Sequence, residues 1–260
     1  ALPEGIGTTY ACSMGTKGYL LTSRPLGNAI EVMEHDVTSD TWSERKPLNG
    51  PMGRANASSL VINGKAYVGG GVNLYSNQYG SVNDWWEFDP ATTYWVRKGR
   101  RQGTGVGVAL GVYGYFLNGV ALWRYQPSTD GWVRLADYPG PTANVGFALG
   151  GKLYFGGPTL WQYDPATNQW TQRQTCPGTT PNFAWSLGTK GYFGGCTSGN
   201  TSLWEYDAGT NGWTQRTSYP GAALTSVAAF SITHRGYVGM EPNTKKYWFY
   251  EQLNNTWYPG

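Results

Sequence analysis

An all-β chain of repeated four-stranded sheets is what this sequence predicts, and three observations carry the prediction. The first is a six-residue step from an acid to a tryptophan: Asp36/Trp42, Asp89/Trp95, Asp164/Trp170 and Asp207/Trp213. Gln126/Trp132 and Glu251/Trp257 keep the spacing with a changed first residue. The second is a tyrosine ahead of each step, at Tyr19, Tyr67, Tyr115, Tyr154, Tyr192 and Tyr237, alternating strictly with the six tryptophans. The third is the texture of the repeat, clearest over 187–220, where runs of alternating aromatic and polar residues are separated by Gly, Asn and Asp turns. Such runs are the signature of antiparallel strands. Fixed motifs with loops of varying length at this period indicate a six-bladed β-propeller rather than a sandwich.

Taken in order, the repeats place six blades of four antiparallel strands (a to d, innermost first) in a single domain spanning 1–260. They lie at about 8–48, 55–99, 104–136, 143–174, 181–217 and 225–258. Blade 1 runs through Tyr19-Leu-Leu and Glu31-Val-Met-Glu-His-Asp to Trp42, and blade 2 carries the longest loop, 72–84. Blades 3 and 4 are minimal, joining strands b and c through Asn118-Gly119-Val120 and Gly157-Pro158-Thr159. Small residues suit inner strands that converge on an axis: Gly105, Gly107 and Ala109 in blade 3, Gly146 and Ala148 in blade 4. Asp-Pro-Ala-Thr sets the c–d turn, its carboxylate accepting turn amides and its proline fixing φ. The outer-strand tryptophan is a large apolar body able to fill the wedge between blades. Each blade is expected to use consecutive strands with no exchange across the seam, leaving blades 6 and 1 joined by side-chain packing alone.

These features resemble the kelch repeat, a β-propeller family, over essentially the whole chain. The residues that carry the resemblance are the glycine pairs Gly69-Gly70, Gly156-Gly157 and Gly194-Gly195, the tyrosine before them and the tryptophan beyond. Blades 1, 3 and 6 depart, with Leu21-Thr22, Leu117-Asn118 and Gly239-Met240 at the pair. The phrases Trp161-Gln-Tyr-Asp-Pro-Ala-Thr-Asn-Gln-Trp170 and Ser218-Tyr-Pro-Gly look like those of secreted or cell-surface kelch proteins of bacteria. The resemblance therefore implies a secreted or surface-displayed protein. It is specific for fold and nearly silent on activity, since such propellers host binders, scaffolds and a few enzymes.

Composition narrows the function classes. A formal charge of +3 is too small to imply nucleic acid. No apolar run approaches the ~20 residues of a membrane helix, so no membrane insertion is expected. A monomer without cofactor or metal is expected as well. The two histidines, His35 and His234, have no partners at zinc-ligand spacing. Copper-binding kelch oxidases use Tyr, His and Cys ligands, and no such set is assignable here. Gly-x-Ser-x-Gly and phosphate-loop motifs are absent. Glu87 and Glu205 read, by alternation, as sheet-face charges ahead of catalytic acids.

Loops say more. The a–b and c–d turns are short and balanced, with Lys17, Lys65, Lys152 and Lys190 beside Asp40, Asp89 and Asp164. The b–c and d–a connections share the other face and vary in length, which is where function concentrates. Candidate binding residues there are Arg24, Arg54, Tyr75, Tyr79, Arg100, Arg101 and Lys246, and no catalytic residue is assigned. Against them stand Glu4, Asp84 and Glu241. Arginine forks suit an acidic or carboxylate-bearing partner; the bland alternative is solubilising charge, and for the tyrosines, ordering of their own loop. The Asn-x-Ser/Thr triplets at Asn56, Asn200 and Asn254 are weak signals, and Asn56 is expected to enter an inner strand.

The leading expectation is thus a non-catalytic interaction module binding a protein or glycan on its variable-loop face. The alternative is a sugar-active enzyme, since sialic-acid mutarotases are kelch-like six-bladed propellers. That chemistry needs Arg, Glu and His to converge at the channel mouth. Arg54 is the plausible arginine, with Asn144 and Asn182 in comparable positions and no carboxylate beside them. An engineered ring without a ligand is a third reading. Finally, Cys176 and Cys196 are placed to form a disulfide within blade 5, which favours an oxidising compartment, while Cys12 is expected to be a buried free thiol; the alternative, with an odd number of cysteines, is that all three are reduced and buried.

Overall fold

The computed structural model describes residues 9–23, 30–45, 50–73, 81–100, 105–157, 159–177, 181–195, 201–221, 228–239 and 247–260. Blade 4 shows how the local sequence makes a sheet. Its strands Val145–Leu149, Lys152–Gly156, Leu160–Asp164 and Gln169–Arg173 pair antiparallel in sequence order. Burial alternates along the inner strand, and the second strand is buried from Leu153 to Gly156. The register sets Tyr154 opposite Phe147 on one side and Gln162 on the other. Five further sheets repeat this plan, beginning at Thr9–Met14, Ser58–Ile62, Val106–Leu110, Phe183–Leu187 and Ala228–Ile232. Among the described residues there is no helix, and each blade uses consecutive strands of its own segment. Six four-stranded antiparallel blades thus form a β-propeller.

The described residues fall into two compact units. The first holds those up to Asn118 together with Trp123–Val133; the second holds Gly119–Leu122 and those from Arg134 onward. In the first, Cys12, Met14, Tyr19 and Val32 of blade 1 pack with Val68, Phe88 and Trp95 of blade 2. In the second, Phe183, Trp185 and Tyr192 of blade 5 pack with Val238, Tyr250 and Trp257 of blade 6. Within each unit the strand-b tyrosine of one blade meets the strand-c tyrosine of the next. Tyr67 lies 5.7 Å from Tyr125, Tyr154 5.6 Å from Tyr206, and Tyr192 5.8 Å from Tyr250, between ring centroids. Tyr138 and Tyr219 fold back over Gly140 and Gly221, where an added Cβ would run into the tyrosine ring.

The Asp-to-Trp step has a purpose that its spacing only hints at. The leading acid does hold its turn: Asp89 accepts from the Ala91 amide and Asp164 from Ala166, each at 2.9 Å. Four positions beyond it the backbone turns left-handed in every blade, at Asp40, Thr93, Asp130, Asn168, Asn211 and Asn255, with φ between 52° and 61°. Asn and Asp tolerate that conformation better than most residues. The side chain there bonds twice. Asn168 Oδ1 accepts from Tyr163 Oη of its own blade at 2.7 Å and from the Ala136 amide, on the segment leaving blade 3, at 2.9 Å. Trp170 Nε1 then donates to the carbonyl of that same Ala136 at 3.0 Å. Asn211 with Trp213 grips Gln174 in the same way, and Asn255 with Trp257 grips Thr217. Asp130 repeats half of the grip, accepting from Tyr125 and from the Gly99 amide. In blade 1 a histidine stands in for the tyrosine: His35 Nε2 lies 2.9 Å from Asp40 Oδ1, and its ring stacks on Trp42. The c–d turn is therefore an inter-blade clamp.

Candidate functional site

Carboxylates able to do acid–base chemistry come first, because they separate an enzyme from a binder. Strand c of blades 1, 2 and 5 carries Glu34, Glu87 and Glu205, all buried rather than lying on an open sheet face. Glu34 accepts from Tyr19 Oη at 2.8 Å, from Arg45 Nε and Nη2 at 3.0 and 2.8 Å, and from Lys17 Nζ. Burial opposes its charge, but the bonds from Arg45, Lys17 and Tyr19 outweigh burial and hold the carboxyl at about 2. Glu87 meets Tyr67 and Lys65 in the same geometry; Glu205 meets Tyr192 and a bidentate Arg216. Against the burial that would raise them, these donors hold both carboxyls below the usual range. Gln162 keeps the place in blade 4, bonded by Arg173. The three glutamates are ionised cross-strand ties, unsuited to give up a proton near neutrality.

The variable-loop end of blade 2 is built differently. Arg54–Ala55 pairs antiparallel with Val72–Asn73 in a short ribbon, with Arg54 opposite Asn73 and Val72 bridged to Ser81. Arg54 lies beneath the ribbon with only 2% of its surface exposed. Its guanidinium grips Asp84 with both arms, Nη1 to Oδ1 and Nη2 to Oδ2 at 3.0 Å. Nε donates to the Met52 carbonyl at 3.1 Å, and Nη1 also reaches the Gly70 carbonyl at 3.3 Å. Trp86 Nε1 donates to Asp84 Oδ2 at 2.7 Å. Burial pushes the Asp84 carboxyl up; the Arg54 bonds and charge, Trp86 and the charge of Arg97 together hold it below the usual range. Tyr10 of blade 1 locks the base, accepting from the Ala57 amide and donating to the Arg54 carbonyl. Met52, Gly53, Arg54, Asn73, Val82 and Asp84 line a small open pocket here. Met52 is 45% exposed at its lip.

The expected binding residues fare unequally. Arg54 is not an exposed fork, and the expectation that no carboxylate stands beside it is corrected: Asp84 does. Arg100 is exposed at the end of blade 2, as expected, and Arg97, which the sequence reading passed over, is exposed on strand d of the same blade. Arg24, Tyr75, Tyr79, Arg101, Lys246 and Cys196 lie outside the described residues. Asn144 is exposed and Asn182 half-buried, and each extends its blade's inner ladder through its amide. Asn56 does not enter a strand: it sits exposed at a φ of 55°, between the ribbon and Ser58–Ile62. Cys12 is buried, its thiol pushed up to about 12 by that burial. Cys176 is buried in one apolar cluster with Phe193, on the strand that leads to Cys196. Among the described residues no three His, Cys, Asp or Glu side chains converge as a metal site requires.

No protein-family model and no curated protein matches the chain. Solved structures do. The structure of YjhT superposes with a TM-score of 0.79 over 99% of this chain and 98% of its own, at 15% sequence identity. The fold is a six-bladed β-propeller. At that identity the likeness carries architecture alone, and 894 solved chains share it to a significant degree, so it assigns no activity.

Proposed function

We propose that this protein is a non-catalytic binding module that presents the variable-loop end of blade 2 to a protein or glycan partner bearing negative charge. The observation that carries the reading is the buried, bidentate Arg54–Asp84 pair. Burying an ion pair is a poor way to gain stability, since desolvation consumes most of the attraction. What such a pair does well is fix geometry, and here it holds the ribbon, Met52 and Asn73 in one place at the surface. Arg54 therefore acts by positioning, and direct contact falls to exposed Met52, Arg97 and Arg100. The tied state of Glu34, Glu87 and Glu205 supports a binder over a sugar-active enzyme. A secreted or surface setting goes with this reading.

The test is a glycan and acidic-peptide array probed with the full chain, at low and raised salt. Binding should weaken as salt rises, because exposed charges are screened. Arg97→Glu with Arg100→Glu, and separately Met52→Asp, should each weaken it by about tenfold. A ligand whose affinity ignores both variants and the salt overturns the placement.

A further inference from the structure

Strand d is the outer edge of each sheet, and in blade 2 it departs from the pattern of the others. Blades 4 and 5 end on Gln-Trp-Thr-Gln-Arg and Gly-Trp-Thr-Gln-Arg, with the Thr and Gln after each tryptophan exposed. Blade 1 carries Glu44 on its edge, and blade 6 carries Pro259. Blade 3 has only the short Gly131–Arg134, whose arginine pairs with Asp137. Polar faces, mixed charge, proline and brevity all discourage a further strand from pairing with an edge. Blade 2 ends instead on Tyr94–Lys98, which reads Tyr-Trp-Val-Arg-Lys. It has no proline, and its charge is of one sign.

Tyr94 and Val96 share one side of this strand and are 47% and 50% exposed, while Trp95 between them is buried in the core that blades 1 and 2 share. Both are strong strand formers. Arg97 is exposed on the alternate side, and Arg100 follows just beyond the strand. Lys98 Nζ lies 3.4 Å from Glu87, and the charge of Arg97 acts on Asp84. Among the described residues no carboxylate forms an ion pair with Arg97 or Arg100. Strand c pairs with the inner side of the strand along its whole length, from Tyr94 opposite Asp89 to Lys98 opposite Trp85. Among the described residues no backbone group bonds to its outer side. Its end is held by blade 3, where Asp130 Oδ2 accepts from the Gly99 amide at 2.6 Å. The edge is therefore ordered before anything binds it, which lowers the cost of binding.

We propose that the edge formed by Tyr94–Lys98 receives an acidic peptide in extended conformation, which adds to the blade 2 sheet as a further strand. This rests on the reading of Arg97 and Arg100 as contact residues, and it adds the class of partner and the manner of binding. An added strand bonds through its main chain and turns successive side chains to opposite faces. Apolar side chains on one face lie along Tyr94 and Val96, and carboxylates on the other meet Arg97. Charge selects the occupant. A basic strand, or the same edge of a second copy, brings like charges together. A glycan has no alternating amides and carbonyls to extend the ladder.

Calorimetric titration of the full chain with a capped peptide of alternating Val and Glu tests the proposal, beside two forms N-methylated at every Val or at every Glu. Only alternate amides of an added strand face the edge. One methylated form should therefore lose affinity by about tenfold or more while the other keeps it. Tyr94→Gln with Val96→Thr gives blade 2 the residues that blade 4 has at Gln169 and Thr171, and should weaken binding by about tenfold. Arg97→Glu should weaken it as well, and a peptide of alternating Val and Lys should not bind. Binding that falls with Arg97→Glu but treats the two methylated forms alike overturns strand addition and leaves the charged contact at blade 2 standing. No binding of the Val/Glu peptide, or a preference for the lysine peptide, overturns it too. So does self-association of the protein that Tyr94→Gln with Val96→Thr abolishes, which places a second copy on the edge.

Discussion

Single side chains in this protein are committed in ways that their residue type alone does not reveal. Asp84 balances a buried guanidinium, so Asp84→Ala removes the carboxylate that both arms of Arg54 grip. The expected loss is about 3–5 kcal/mol in urea unfolding, whereas replacing both partners by apolar residues of similar size should cost far less. A small effect of Asp84→Ala alone would mean that the pair is looser than its geometry. Glu34 gives a pH dependence of definite sign. Its folded carboxyl is held at about 2, below its ordinary 4.5. Its contribution is therefore complete above 4.5 and is lost as pH falls through about 2. Thermal melts should show a stability decline through that window that is shallower in Glu34→Gln, and an unchanged slope would contradict the tie. Neither Asp84 nor the tie at Glu34 was legible in the sequence. Alternation marks the equivalent Glu87 and Glu205 as face residues, but their burial and their ties appear only once the blades are folded. Asp84 lies 30 positions along the chain from Arg54, with the strands Ser58–Ile62 and Lys65–Gly69 between them.

At the scale of the element, the c–d turn was half legible. Its leading Asp and closing Trp stand out because they repeat, and the carboxylate-to-amide bonds of the turn follow from Asp followed by small and polar residues. The middle residue did not stand out, since Asp40, Thr93, Asp130 and Asn168 share a backbone shape more than a side chain. Its second partner belongs to a different blade. Asn168→Ala removes both bonds and puts alanine, which tolerates the left-handed region less well than asparagine, at a φ of 56°; Asn168→Gly removes the bonds but relieves the backbone. We expect about 1–3 kcal/mol for the alanine and clearly less for the glycine, measured by chemical denaturation. Equal losses would show that the bonds alone matter. Trp170→Phe, which keeps the ring and deletes the donor to Ala136, should cost about 1 kcal/mol. In blade 5, peptide mapping of unreduced, alkylated protein tests the expected Cys176–Cys196 bond. Labelled thiols at both positions would remove it, along with an independent reason to place the protein in an oxidising compartment.

Across the whole molecule, repetition made the architecture readable and left the function mostly hidden. Six equivalent steps specify six blades, because every copy reports the same strand order and the same turn. Function resides where copies differ, and differences have no internal template. The ribbon of blade 2 and the outer edge of the same blade are both departures from the repeat, and the partners that define the ribbon, Arg54 and Asp84, meet only in three dimensions. The carboxylates that recur, by contrast, are spent on holding strands together. That division between tied repeats and exposed departures is the central claim, and it is most directly tested by catalysis. The anomeric equilibration of freshly dissolved N-acetylneuraminic acid can be followed by proton NMR with and without the full chain. The account predicts relaxation at the rate of buffer alone across the neutral range. Acceleration that scales with protein concentration, and falls in Glu205→Gln or Glu87→Gln, would contradict it.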